Sequence, residues 1–124
     1  MKTEYHRILV VQSVPELAEY TCGLLDDIGF RHIARAETAQ EATELLRKAK
    51  EGHRQFQAIV CDDDIRDGAL ALIDACDGVP LLAISDPAND NNLQLAARLG
   101  LSGLIFRPYG RAQFETALAQ LLAG

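Results

Sequence analysis

The chain has 124 residues, 48% hydrophobic and 24% charged, which suits one globular domain around one core and not a disordered segment. A formal net charge of -6 with no lysine or arginine cluster argues against a nucleic-acid-binding face. No apolar run reaches the roughly 18 residues of a membrane span. Residues 1–6 hold no apolar signal core, so a cytoplasmic protein with no membrane contact is expected.

Arg7-Ile8-Leu9-Val10-Val11 is a β-branched apolar run and predicts the first strand. Ser13-Val14-Pro15-Glu16 has the form of a capping box, with Ser13 as N-cap and Pro15 in the first turn. The helix that follows places Leu17, Thr21, Leu24, Leu25 and Ile28 on one face and stops at Gly29. Residues 31–36 lack a long apolar run and predict an edge strand. Thr38-Ala39-Gln40-Glu41 is a second capping box. Its helix carries the stripe Ala39, Ala42, Leu45, Leu46 and Ala49 and ends in Arg47, Lys48 and Lys50, cations that suit the negative end of the helix dipole.

Residues 58–61 are apolar on both faces and predict a buried central strand, with Asp62 delivered to its carboxyl end. Asp62, Asp63, Asp64 and Asp67 then form an acidic turn that breaks at Gly68. Residues 69–75 predict a short helix and residues 80–85 a fourth strand ending in Ser85. After a polar loop, Leu93, Ala96, Ala97 and Leu99 carry a helix to Gly100. Residues 104–106 predict a fifth strand that runs into Arg107-Pro108. Phe114, Ala117, Leu118, Leu121 and Leu122 mark the last helix at helical spacing.

The order is a strand then a helix, five times over. Two-sided apolar strands with amphipathic helices predict an α/β domain, a doubly wound parallel sheet with helices on both faces. One domain is expected over residues 1–124, with no output domain. In open parallel sheets, chemistry sits at the carboxyl ends of the strands, which singles out Asp62. Cys22, Cys61 and Cys76 are an odd count without metal-type spacing and read as free thiols in a reducing compartment. His6, His32 and His53 are scattered and read as surface residues.

These residues resemble a response-regulator receiver domain, the phosphoacceptor module of two-component signalling. The resemblance spans roughly residues 7–122. It rests on Asp62 after Ala58-Ile59-Val60-Cys61, Asp67-Gly68, Ser85 ending Leu81-Leu82-Ala83-Ile84, Leu99-Gly100, and Arg107-Pro108-Tyr109. It implies a flavodoxin-like fold with strand order 2-1-3-4-5. It implies Asp62 as phosphoacceptor, Ser85 and Arg107 as phosphoryl contacts, the Asp64 backbone carbonyl as a metal ligand, and a cis peptide at Arg107-Pro108. It also implies an interaction face on the fourth helix, fifth strand and fifth helix, including Phe106, Tyr109, Arg111, Gln113 and residues 89–92. The implied partners are a histidine kinase or a downstream effector.

Several positions depart from the family pattern. Gln12 and Ser13 stand where receivers carry an acidic pair that helps hold Mg²⁺. Arg107 stands for a lysine and Leu104 for a switch aromatic. The loop after Asp62 is two residues short. The expectation is therefore a degenerate receiver, a pseudo-receiver without enzymatic activity beyond self-phosphorylation, with weak Mg²⁺ binding or none. Asp63 or Asp64 could replace the missing acids, although neighbouring strand residues face opposite ways. A permanently charged Arg107 predicts a part-exposed ion pair with Asp62. The alternative is a competent receiver phosphorylated on Asp62 by a histidine kinase. A flavin or nucleotide enzyme fits poorly, since residues 12–16 contain no glycine to cradle phosphate.

Overall fold

The computed structural model describes residues 3–65, 68–90, 92–100 and 103–123. Of the positions read from the sequence, Asp67 and Asn91 lie outside the described residues. Five strands, β1 (Arg7–Val11), β2 (His32–Ala36), β3 (Ala58–Asp62), β4 (Leu81–Ser85) and β5 (Leu104–Phe106), form one sheet in the order β2-β1-β3-β4-β5. Every pairing is parallel. Five helices, α1 (Pro15–Ile28), α2 (Ala39–Glu51), α3 (Ala69–Ala75), α4 (Asn92–Leu99) and α5 (Arg111–Ala123), connect or follow the strands. The alternation of strands and helices predicts the doubly wound parallel sheet, and the strand order is the flavodoxin-like one that the receiver resemblance implies.

The sheet separates two cores because strand side chains alternate. Leu9, Val11, Ile59, Cys61, Leu81 and Ala83 face α2, α3 and α4 and meet Leu46, Leu72 and Leu95. Ile8, Val10, Val60, Leu82 and Ile84 face α1 and α5 and meet Leu25, Phe114 and Leu118. The central strands β3 and β4 are buried at every residue, and β2, the poorest in apolar residues, is an edge.

Local signals explain the start of α2 and the end of α1. Thr38 Oγ1 accepts the Glu41 amide at 3.1 Å, so the N-cap of α2 forms as the sequence pattern predicts. Gly29 ends α1 at φ 121°, a left-handed value that favours glycine. A Cβ there would come within 2.6 Å of Thr3 Oγ1. Lys50, in the last turn of α2, pairs with Asp77 beyond α3 at 2.5 Å, but both side chains are more than half exposed, so the pair contributes little.

Three expectations need correction. Ser13 does not cap α1: the N-cap is Val14, with no side-chain cap, and Ser13 Oγ donates to the Glu37 carbonyl at 2.5 Å. Leu93 and Ala97 do not belong to the buried stripe of α4, since Leu93 is 85% exposed and Leu95 takes the core position. The alternation argument for Asp62 and Asp63 fails because the strand ends at Asp62. Asp63 begins a turn, and both side chains are buried. The Arg107-Pro108 peptide is cis.

Candidate functional site

Strand register assembles the site. Val11 pairs with Cys61 and Asp62 with Ile84, so Gln12, just after β1, and Asp62 and Ser85, the last residues of β3 and β4, lie at one edge. Ser85 pairs with Phe106, and the Arg107 amide donates to the Ser85 carbonyl at 2.9 Å, which brings Arg107 to the same edge.

Asp62 is 1% exposed, so the exposure of its expected pair with Arg107 lies on the arginine side alone. Its Oδ1 accepts the Gln12 amide Nε2 at 2.9 Å. The same oxygen lies 2.7 Å from Arg107 Nη2, and Arg107 Nη1 stands 3.7 Å from Asp63 Oδ1. One guanidinium thus serves two neighbouring carboxylates. The contact with Asp62 is an ion pair and not the two parallel hydrogen bonds a guanidinium can make, since no Nη2 hydrogen is aligned with an acceptor. Burial raises the Asp62 carboxyl above its ordinary range, more than the Gln12 hydrogen bond and the Arg107 charge lower it; the nearby Asp64 charge adds to the rise. Burial likewise pushes the Cys61 thiol up, as do the charges of Asp62 and Asp63, so Cys61 is a packed core residue and not a nucleophile.

Gln12 is a site residue in its own right: buried, with its amide turned to Asp62. Ser13 is not brought to Asp62; its hydroxyl serves Glu37. Ser85 is fully buried at the rim, and its Oγ donates to Asp63 Oδ2 at 2.7 Å. Asp64 is exposed. Of the proposed interaction face, Phe106 is 38% exposed, and Arg111 and Gln113 are exposed. Arg111 turns towards α1, where Nη2 reaches the Asp27 carbonyl at 3.5 Å. Tyr109 is only half available: its ring stacks on Phe114 at 5.8 Å and leans on Tyr20 at 6.4 Å.

The role that sequence reasoning missed is the pairing of Asp63 with the loop after β4, Asn89 included. Asp63 Oδ2 accepts from Ser85 Oγ, from the Asp86 amide at 3.0 Å and from Asn89 Nδ2 at 2.6 Å. The available signal was the run of short polar residues from 86 to 92, whose side chains favour local turns and nearby acceptors.

The receiver resemblance implies Mg²⁺, which needs about six hard oxygen ligands near 2.1 Å. Gln12 Oε1, Asp62 Oδ2 and Asp63 Oδ1 are buried acceptors without a hydrogen-bond partner. Yet Asp62 and Asp63 already share a cationic guanidinium, and Gln12 presents an amide NH₂ to Asp62. Among the described residues, no three histidine, cysteine or acidic side chains are grouped to hold a metal ion. As arranged, this donor set does not fit Mg²⁺.

No protein-family model matches the chain. Its fold does have many counterparts among solved structures. A LuxR-family two-component response regulator from Aurantimonas sp. SI85-9A1 superposes with a TM-score of 0.79 at 22% identity, over 95% of this chain and 85% of that one. The chemotaxis protein CheY4 of Vibrio cholerae gives 0.76 at 17% identity, over 94% and 98%. The non-phosphorylated HemR receiver domain of Leptospira biflexa gives 0.75 at 21% identity, over 96% and 95%. The fold is that of response-regulator receiver domains. Among the described residues, no helix is long and apolar enough to cross a membrane.

Proposed function

We propose that this chain is a degenerate receiver, a signalling module in the two-component class that acts by protein contacts while its phosphoryl transfer is impaired. The observation that carries the reading is the Arg107–Asp62 contact at 2.7 Å, on the same carboxylate oxygen that Gln12 binds. A carboxylate engaged by an amide donor and a guanidinium charge is a weaker nucleophile than a free one. The oxygens around it, with one guanidinium already shared by Asp62 and Asp63, are a poor set for a cation that would offset charge in phosphoryl transfer.

The partner would be a histidine kinase or a downstream effector. Neighbours of this fold include a receiver from a histidine kinase of Syntrophus aciditrophicus and the anti-anti-sigma factor PhyR of Bartonella quintana, which leaves the output open. The contact face would be the one formed by α4, β5 and α5, where Leu93, Ala97 and Phe106 are exposed apolar groups. On this reading the protein is not an enzyme.

A competent receiver is the second reading. The position of Asp62 at the end of β3, with Ser85 at the end of the neighbouring β4, favours it. Amide NMR spectra with Mg²⁺ and a beryllofluoride phosphoryl mimic separate the two. Unchanged spectra around residues 62–65 and 85–90 are expected. Saturable shifts there at millimolar Mg²⁺ would overturn the degenerate reading.

A further inference from the structure

Asp63 follows the candidate phosphoacceptor but has its own partners. All three donors on its Oδ2, Ser85 Oγ, the Asp86 amide and Asn89 Nδ2, belong to the end of β4 or the loop leading to α4. Hydrogen bonds to a carboxylate are roughly twice as strong as neutral ones. From this oxygen the bonding continues outward. Ser85 Oγ also touches Asn92 Oδ1, and Asn92 Nδ2 donates to the carbonyls of Asp86 at 3.2 Å and Pro87 at 3.1 Å. The Ala88 amide closes a turn on Asp86 Oδ1 at 2.9 Å. The loop and the first residue of α4 are thus built outward from one buried carboxylate.

Asp62 is bonded elsewhere, to Gln12 after β1 and Arg107 after β5. Ser85 has a single hydroxyl proton, and the acceptors around it, Asp63 Oδ2, Asn92 Oδ1 and the Asp86 carbonyl, all keep it within this network. That proton is then not available to an anion on Asp62. The two carboxylates share Arg107, but at 3.7 Å its contact with Asp63 is not a hydrogen bond.

We propose that Asp63 is an internal anion that anchors the β4–α4 loop and the start of α4, holding this segment in one conformation whatever the state of Asp62. The inference rests on the reading of α4 as part of a contact face. It supplies a reason for that face to be set without a phosphoryl group.

Amide hydrogen exchange on the whole chain tests it, comparing the native protein with Asp63→Ala, Asp63→Asn and Asp62→Ala. Exchange at the amides of Asp86, Ala88, Asn89 and Asn92 should quicken about tenfold in Asp63→Ala, and less in Asp63→Asn, which keeps the side-chain shape. Asp62→Ala should leave them within about twofold. If Asp63→Ala does not fold, Asp63→Asn carries the test, with about a threefold rise expected. Unchanged exchange in the folded Asp63 variants, or an equal rise in Asp62→Ala, would overturn the anchor. The measurement uses neither phosphodonor nor partner. A protein that proved to accept phosphate readily would defeat the functional reading and leave the anchor to be judged by exchange alone.

Discussion

Arg107 Nη2 lies 2.7 Å from Asp62 Oδ1, joining the residue after β5 to the last residue of β3 across the carboxyl edge of the sheet. The partners differ in exposure: the Asp62 side chain is 1% exposed and that of Arg107 27%. Arg107 can therefore draw on water, whereas Asp62 depends on its protein partners. The pair stabilises less by attraction than by preventing an uncompensated buried charge.

Removing the cation should then cost more than a surface ion pair does. Arg107→Ala is expected to destabilise the fold by about 2 kcal/mol, below the range for fully buried pairs because the carboxyl can take up a proton. Arg107→Lys should cost about half as much, since a lysine keeps the charge but has a shorter reach and a single charged nitrogen. Urea unfolding followed by circular dichroism measures both. Equal stability of Arg107→Ala and the native protein would show the contact to be idle.

The pH dependence has a definite sign. The folded-state carboxyl of Asp62 is raised above its ordinary value of 3.8. Between the unfolded and folded values the native state holds the extra proton, so stability falls as pH rises through that window. Above the folded value the penalty is complete; below the ordinary value it is absent. Asp62→Asn removes it and should gain up to about 1 kcal/mol at neutral pH. The native protein should close that gap as pH falls towards 4. Paired unfolding curves between about pH 4 and 7 decide the matter, and a gap that widens on acidification would reverse the sign.

Metal binding should respond to position 12 more than to position 13. Gln12 touches Asp62, while the Ser13 hydroxyl serves the Glu37 carbonyl. Gln12→Asp, alone or with Ser13→Asp, should acquire Mg²⁺ binding that appears as a Tm rise with added Mg²⁺. Ser13→Asp alone should show little. Calorimetry and thermal melts check this, and tight Mg²⁺ binding by the native protein would contradict it.

Much of this arrangement is legible in the chain. The strands β1, β3 and β4 are readable because burial on both faces demands continuous apolar runs, and Thr38 is readable because its cap is local. Arg107 is readable as a partner of Asp62 because a buried carboxylate needs charge opposite it. The misreadings share one cause: contacts from distant parts of the chain. Ser13 sits in a capping pattern, yet its hydroxyl is taken by Glu37, 24 residues away. The spacing of Leu93, Leu95 and Leu99 allows two helix faces, and the neighbouring sheet selects Leu95. Asp63 looks like a solvated turn until β4 and its loop surround it with donors.

On the proposed reading, Asp62 is held by Arg107 and Gln12 in place of a metal, and so is a poor phosphoacceptor. Intact mass after incubation with acetyl phosphate and Mg²⁺ tests it directly, on the native chain, on Arg107→Lys, and on Gln12→Asp/Ser13→Asp/Arg107→Lys. No phosphoryl gain is expected in the native chain, little in Arg107→Lys, and a gain on Asp62 in the triple variant. Stoichiometric phosphorylation of the native chain would contradict the claim. Full phosphorylation of Arg107→Lys alone would show that the missing acids are not the main defect.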